Sequence, residues 1–357
     1  MTSKERITNI LHRKKTDRIG LMEGFWSDTH ITYVDGGHIQ PDESLNEHFN
    51  LDIASGGWLN YTADLDFEPV AIAEDSDTIT TKDGNGAILR RHKNHDTTPE
   101  HIAYTVTCRE EWEEIRHFYT NIDERRIPFA DYREAKKKAE ERNRFFTASG
   151  VNVFEFMHPI CGHENMLIGM IDDPGWIHDM CDVFANMHIA LLEILFEKEG
   201  LPDAYWYFED MGFKEKPFMS PAMYRELIKP THKKTMDFLK SKNLPAIMHS
   251  CGFVEPLLPD MVDAGIACLQ AMENKAGMDL LRIYKNFGDR IALCGGIDVR
   301  VLYSNDRGLI DAELEKKIPI VKQGHAYILH SDHSIPATVN YETVKYFIQK
   351  GLELGTY

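Results

Sequence analysis

From residue 145 onward the chain alternates short apolar runs with longer stretches whose apolar residues recur at helical spacing. The runs FFTASG (145–150), AYWYFED (204–210), PAIMHS (245–250), IACLQAM (266–272), IALCGG (291–296) and AYILHS (326–331) read as strands. They are apolar nearly throughout, as strands covered on both faces are. Helices fill the gaps. PAMYRELIKPTHKKTMDFLKSK (221–242) opens after Ser-Pro and closes on basic residues, matching helix-end preferences. VEPLLPDMVDAG (254–265) and DRGLIDAELEKKIPIVKQG (306–324) stop at glycines, and NYETVKYFIQKGLELG (340–355) follows. Such a βαβα rhythm demands parallel strands joined by right-handed crossovers.

The first third departs from this rhythm. ERITNILHRK (5–14) is a helix, DRIGLM (17–22) is a candidate first barrel strand, and SDTITTKDGNGAILRRH (76–92) is a hairpin around Asp-Gly-Asn-Gly. The acidic helix REEWEEIRHFY (109–119) comes next. No Pro-, Gly- or Ser-rich linker and no repeat divides the chain. The pattern predicts one α/β domain over 1–357, a (β/α)8 TIM barrel, with an elaboration at 51–120 that carries the β-hairpin. A doubly wound open sheet is the alternative, but no GxGxxG follows a strand.

A net charge of −17 repels nucleic acid and anionic membranes, so neither is expected as a partner. The first residues lack the apolar core of a signal peptide, and no run of about 18 apolar residues occurs, so a cytoplasmic location is expected. Cys108, Cys161, Cys181, Cys251, Cys268 and Cys294 are scattered without a CxxC pair, which argues against a disulfide framework. Each is by default a small buried hydrophobe.

In a barrel, chemistry sits at the C-terminal ends of the strands. Four predicted strand ends carry suitable groups: Glu209 with Asp210, His249 with Cys251, Glu273, and His330 with Asp332 and His333. The H-x-C pair of MHSCGF can aim an imidazole and a thiolate, preferred zinc ligands, at one point, with Gly252 relieving crowding behind them. A structural thiol in a turn is the plainer alternative. Neighbours on a strand point to opposite faces, so at most one of Glu209 and Asp210 reaches the mouth as a candidate acid or base unless the strand has already ended. The other reading is a salt bridge at a helix start. Glu155 is a similar, weaker case. Phe25, Trp26, Trp58 and Tyr61 are candidates to line a pocket for a planar substrate, or core residues. His330 and Asp332 are candidates to orient His333, and Asp298 to cap a helix.

The segments ERITNILHRKKTDRIGL, HSCGFVEPLLPDMVDAGI, GDRIALCGGID and AYILHSDHSIP resemble the uroporphyrinogen decarboxylase superfamily, most strongly from about residue 217 to 350. That resemblance implies the barrel and one of two chemistries. One is metal-free decarboxylation of a porphyrinogen. The other is zinc-dependent methyl transfer linked to a corrinoid protein, as in the coenzyme M methyltransferases, whose zinc motif is H-x-C followed by a distant cysteine near the last strand. His249 and Cys251 match the first part. Glu273, 22 residues past Cys251, stands where the more distant cobalamin-independent methionine synthase places a glutamate. At the last position this chain has His333 instead of cysteine; it either completes the shell or hydrogen-bonds beside an open three-ligand site. Cys294 is the reserve ligand. The decarboxylases carry an arginine-rich segment after the first strand, whereas no Lys or Arg occurs here between Arg18 and Lys82, and Glu23 and Asp28 do. A substrate with eight carboxylates would be repelled.

The resemblance therefore implies Zn2+ held by His249, Cys251, Glu273 and His333, and the strand-end reading adds Glu209, Asp210 and Glu155 as candidate catalytic carboxylates. It implies a small-molecule methyl donor or acceptor, a methoxy compound among them, and a corrinoid on a separate partner protein, since DxHxxG is absent. The alternatives are a metal-free decarboxylase-like lyase acting on a smaller substrate, and a non-catalytic barrel.

Overall fold

The computed structural model describes residues 1–94 and 98–357. Strands β1 (Gly20–Leu21) and β2 (Ile53–Gly56) begin the barrel. Strands β3 (Val70–Glu74), β4 (Thr78–Lys82), β5 (Ile88–His92) and β6 (Glu100–Ala103) form a separate antiparallel sheet. Then β7 (Phe145–Val151), β8 (Ala204–Phe208), β9 (Ala246–Ser250), β10 (Cys268–Ala271), β11 (Ala292–Gly295) and β12 (Tyr327–Leu329) complete the barrel. Its spatial order is β1-β12-β11-β10-β9-β8-β7-β2, parallel throughout.

The seam between β1 and β2 is closed by Asp52. Its N–H donates to the Leu21 carbonyl at 2.8 Å, and its carboxylate accepts the Leu21 N–H at 2.8 Å. The same carboxylate, fully buried, accepts from Arg6 and Arg18, each at 2.8 Å. Removing one member of such a group strands the others without a counter-charge. Asp52→Ala is expected to cost about 3–5 kcal/mol, read as a fall in the urea midpoint.

Along β8 the alternation is complete. Ala204, Trp206 and Phe208 belong to the cluster inside the barrel, while Tyr205 and Tyr207 pack outward under the helices. The predicted strands at 145–150, 204–210, 245–250, 266–272, 291–296 and 326–331 all form; the first extends by one residue to Val151 and the others are shortened at their ends. The hairpin forms as well, and β3 and β6 widen it to four strands. Residues 51–120 are not purely an elaboration, because β2 is a barrel strand.

The helix expected at 221–242 is interrupted. Pro221–Met223 leads into a π turn, Tyr224–Ile228, before Lys229–Ser241 continues. Pro230 donates no N–H and crowds the carbonyl four residues back, which accounts for the wider turn. A second break lies in the helix Val153–Asp172, where Gly162 has φ +76 and the Tyr104 ring occupies the space a side chain would take. Through Tyr104, and through His101 of β6 packed 5.7 Å from the His158 ring, the accessory sheet braces the helix that leads from β7. Among the described residues, no helix is long and apolar enough to cross a membrane.

Candidate metal centre

The C-terminal ends of β8 and β9 meet at one cluster. Ligand atoms of Asp210, His249 and Cys251 all lie within 4.8 Å of one another, the one such group of metal-binding residue types among the described residues. Cys251 Sγ is 3.3 Å from His249 Nε2, which is 3.3 Å from Asp210 Oδ1. Asp210 Oδ1 also accepts the Cys251 backbone N–H at 2.7 Å.

Backbone contact draws the two loops together. Gly252, at φ +74, lies so close to Gly212 that a Cβ would meet the Gly212 backbone and stand 2.7 Å from Phe213 N. The Phe253 N–H donates to the Phe213 carbonyl at 2.9 Å, so the loops pair like a short ladder. Gly252 thus serves loop-on-loop approach rather than space behind the thiol.

Glu273 and His333 do not join the cluster. One Glu273 oxygen accepts the Gly252 N–H at 2.8 Å and the other pairs with Lys275 at 2.9 Å, so this carboxylate fixes the Cys251 loop from the next strand. Its approach depends on two strained residues at the end of β10, Ala271 at φ 105 and Met272 at φ 59. The His333 ring lies 5.9 Å from the Trp26 ring and lines the cavity beside His249 and Cys251. Cys294 is fully buried in the barrel interior, where burial lifts its thiol pKa well above the usual range. Asp332 is committed to backbone, accepting from Val299 N at 2.9 Å and Asn274 N at 2.6 Å. Asp298 does cap its helix, accepting from Arg300 N.

Glu209 and Asp210 follow the end of β8 and their side chains part. Fully buried, Glu209 turns to the helix layer, where it accepts from Phe154 N at 2.8 Å, Glu155 N at 3.1 Å and His232 Nε2 at 2.6 Å. Its role is to cap the helix Val153–Asp172 and hold His232, so the expectation of catalysis by Glu209 gives way to a structural one. Glu155 lies at 3.4 Å from His158 Nε2 and accepts from the Asp210 backbone. Burial, then Asp210 and Glu209, raise its pKa well above the carboxylate range. Burial, then His163 and His101, push the neighbouring His158 down to about 3.

The cluster itself is polarised. Burial opposes a charge on His249, but Cys251 and Asp210 outweigh it and lift its pKa well above the usual range. Burial would raise Asp210, but His249 and the Cys251 N–H bring it below its ordinary value. Burial raises the Cys251 thiol, His249 opposes that, and Asp210 adds to it.

Gln270 of β10, paired in register with His249, went unread in the sequence; one glutamine in the run IACLQAM was the available signal. Its carbonyl oxygen faces His249 Nδ1, and its amide nitrogen is 3.5 Å from His330 Nε2. Glu23, fully buried and bonded to Ser331, stands 3.6 Å beyond His330. A neutral His249 would be held by Gln270 with its proton on Nδ1, which turns Nε2 toward Cys251 and Asp210 as the ligand atom once the second proton has left. Gln270→Leu is expected to weaken the binding of an added divalent metal ion at this cluster about 10- to 100-fold, measured by competition with a chromophoric chelator, with Gln270→Glu milder.

The four aromatics do not share one wall. Phe25 and Trp26 line an open cavity of about 560 Å³ with Glu23. Trp58 and Tyr61 line another of about 390 Å³ that includes Glu155. A third, of about 280 Å³, opens over the cluster itself and is lined by His249 and Cys251 together with Trp26, Trp206 and Phe208.

The family model for uroporphyrinogen decarboxylase (URO-D) matches residues 146–351, more than half of the chain. No curated protein matches the sequence. Among solved structures, a methyltransferase from Methanosarcina mazei is similar over 99% of each chain, with a TM-score of 0.67 and 16% identity, which shows a shared fold. A class V chitininase from Pseudomonas fluorescens Pf-5 matches over 93% of this chain and 99% of its own, at 9% identity and a TM-score of 0.40, too low to carry an argument. The barrel, its strand-end chemistry and the matched span agree: this chain belongs to the uroporphyrinogen decarboxylase family.

Proposed function

We propose that this protein is a zinc-dependent methyltransferase that moves a methyl group from a small methoxy compound to a separate corrinoid protein. The observation that carries this reading is the Asp210–His249–Cys251 cluster at the C-terminal mouth of the barrel. Three protein donors with room for a further partner is the pattern of a catalytic zinc site. The donor set fits the ion chemically: one thiolate and one carboxylate cancel its charge, and the imidazole is neutral. Held by Asp210, His249 and Cys251, a zinc ion would supply Lewis acidity toward an oxygen ligand, more than one held by two thiolates and a carboxylate. The structural likeness to a methyltransferase supports the reading without deciding the substrate.

The residues divide the remaining work. Breaking the O–CH3 bond would leave both electrons on oxygen, which must take up a proton; a reduced corrinoid carried by the partner would supply both electrons of the new bond to carbon. That proton comes from solvent in this reading, because Glu155, whose pKa burial, then Asp210 and Glu209, raise, lines the neighbouring cavity of about 390 Å³ and not the one over His249 and Cys251. Gln270 fixes His249, and Glu273 and Gly252 fix the Cys251 loop.

Metal uptake must displace the protons of Cys251 and His249, whose pKa values are both raised. Zinc affinity is therefore expected to fall from about pH 8 to about pH 6, a slope that chelator competition measures. The function is tested by mixing the protein with a reduced corrinoid protein and methoxy compounds while following the cobalt spectrum. Methylation that stops on chelation and returns with zinc supports the reading. Rapid methylation of thiols from methylated corrinoid, with methoxy compounds ignored, contradicts it.

A further inference from the structure

Lys317 is a buried lysine to which the reaction gives no part. It lies on the helix Arg307–Val321 and is 5% exposed. Each of its three donors has an acceptor. Nζ donates to Asn274 Oδ1 at 3.0 Å, to the Gly296 carbonyl at 2.8 Å and to Glu313 of its own helix. A buried ion pair adds little stability over apolar side chains of the same size, so the fold alone does not call for a lysine here.

What its partners hold gives the reason. Asn274 opens the turn Asn274–Ala276 that follows β10. Its N–H and its side-chain amide both donate to one Asp332 oxygen, at 2.6 and 2.9 Å, and the amide also reaches the Gly296 carbonyl at 3.1 Å. Lys317 and Asn274 thus join the chain just past β10, β11 and β12 at one point. The same turn touches both loops that carry the cluster. Glu273, the residue before it, accepts the Gly252 N–H beside Cys251 at 2.8 Å. The Ala276 carbonyl accepts the Glu215 N–H, from the loop that carries Asp210, at 3.1 Å. The chain enters the turn through left-handed Ala271 and Met272, a conformation that persists only where its surroundings impose it.

We propose that Lys317 is a positioning residue for the candidate metal centre. It fixes Asn274, and the turn that Asn274 opens sets the loop of Asp210 against the loop of Cys251. It does so from outside the cavity over the cluster, whose lining does not include it. The inference rests on the Asp210–His249–Cys251 reading for what is positioned, but the hold on the Cys251 loop does not require a metal.

Lys317→Met keeps the side-chain length and removes the donors. Cobalt(II) affinity, measured by chelator competition, is expected to fall about tenfold, the order for residues that orient a ligand without touching the metal. Asn274→Ala is expected to match it. The two together should lose no more than about twofold beyond the larger single loss, where independent effects would multiply to about 100-fold. Asp52→Ala destabilises the distant β1–β2 seam and is expected to keep cobalt affinity within about twofold of wild type. A second readout needs no metal. Apart from Cys108 and Cys251 the cysteines are buried, so in a Cys108→Ser background iodoacetamide reports on the Cys251 loop. Lys317→Met is expected to speed that alkylation about 3- to 10-fold, the value of one lost hydrogen bond. If Lys317→Met does not fold, Asn274→Ala, which leaves Lys317 paired with Glu313, carries both measurements. Unchanged cobalt affinity or unchanged alkylation in the folded variant, multiplying losses in the double variant, or an equal loss in Asp52→Ala overturns the proposal. A wild type that binds no cobalt, with alkylation still faster in Lys317→Met, sinks the metal reading and leaves the hold on the Cys251 loop standing.

Discussion

Asp210→Ala is expected to lower zinc affinity by more than about 100-fold, beyond the range for outer-shell residues. Methyl transfer should fall by about 10³-fold, the order a lost Lewis acid implies. The reason is positional. Asp210 Oδ1 faces His249 Nε2 and also receives the Cys251 N–H, so the substitution deletes a ligand and loosens the loop that carries another. Glu273→Gln makes the contrast. Its amide oxygen still accepts the Gly252 N–H, so zinc affinity should stay within about tenfold of wild type. Zinc content and chelator competition on both variants separate the two carboxylates; the reverse ranking would put Glu273 in the shell and Asp210 outside it.

Gly252→Ala should be strongly destabilising for the addition of one methyl group. The left-handed conformation alone costs an L-residue about 1–2 kcal/mol, and the methyl group meets the Gly212 backbone, which is fixed by the ladder to Phe253. The total is expected to reach on the order of 2–4 kcal/mol, with zinc affinity falling as Cys251 shifts. Gly37 supplies the control. It has φ +71 with no atom within 4 Å of the place a Cβ would take, so Gly37→Ala meets only the conformational cost. Denaturant midpoints of the two variants measure the difference, which is the energy of the loop-on-loop contact.

Much of the barrel was legible because its later strands are buried on both faces and so stand out as apolar runs between helices. β2 was not: Ile-Ala-Ser-Gly is four residues long and half polar, without a run to detect. β3 and β6 were missed for the opposite reason, being exposed edges whose side chains carry little burial pattern. Two of the three members of the candidate centre were legible from spacing alone, since H-x-C on a strand end leaves little freedom between two side chains. The third member was not. Choosing Asp210 over Glu273 required knowing that Gly212 and Gly252 touch, a contact between loops 40 residues apart in sequence. The turn of Glu273 away from the cluster follows from left-handed Ala271 and Met272, residues that show no such preference in sequence. Glu209 looked catalytic because its type and place were right; its partners Phe154 and His232 come from other elements and could not be read from its neighbours.

Everything proposed for the reaction depends on Asp210, His249 and Cys251 holding one metal ion through a thiolate. Metal analysis joined to the optical spectrum of the cobalt(II)-substituted protein is the sharpest test of that assignment. The expected result is about one zinc per chain, a thiolate-to-cobalt charge-transfer band in the substituted protein, and loss of both in Cys251→Ala. Carefully purified wild type without metal, or a band that survives Cys251→Ala, would contradict it.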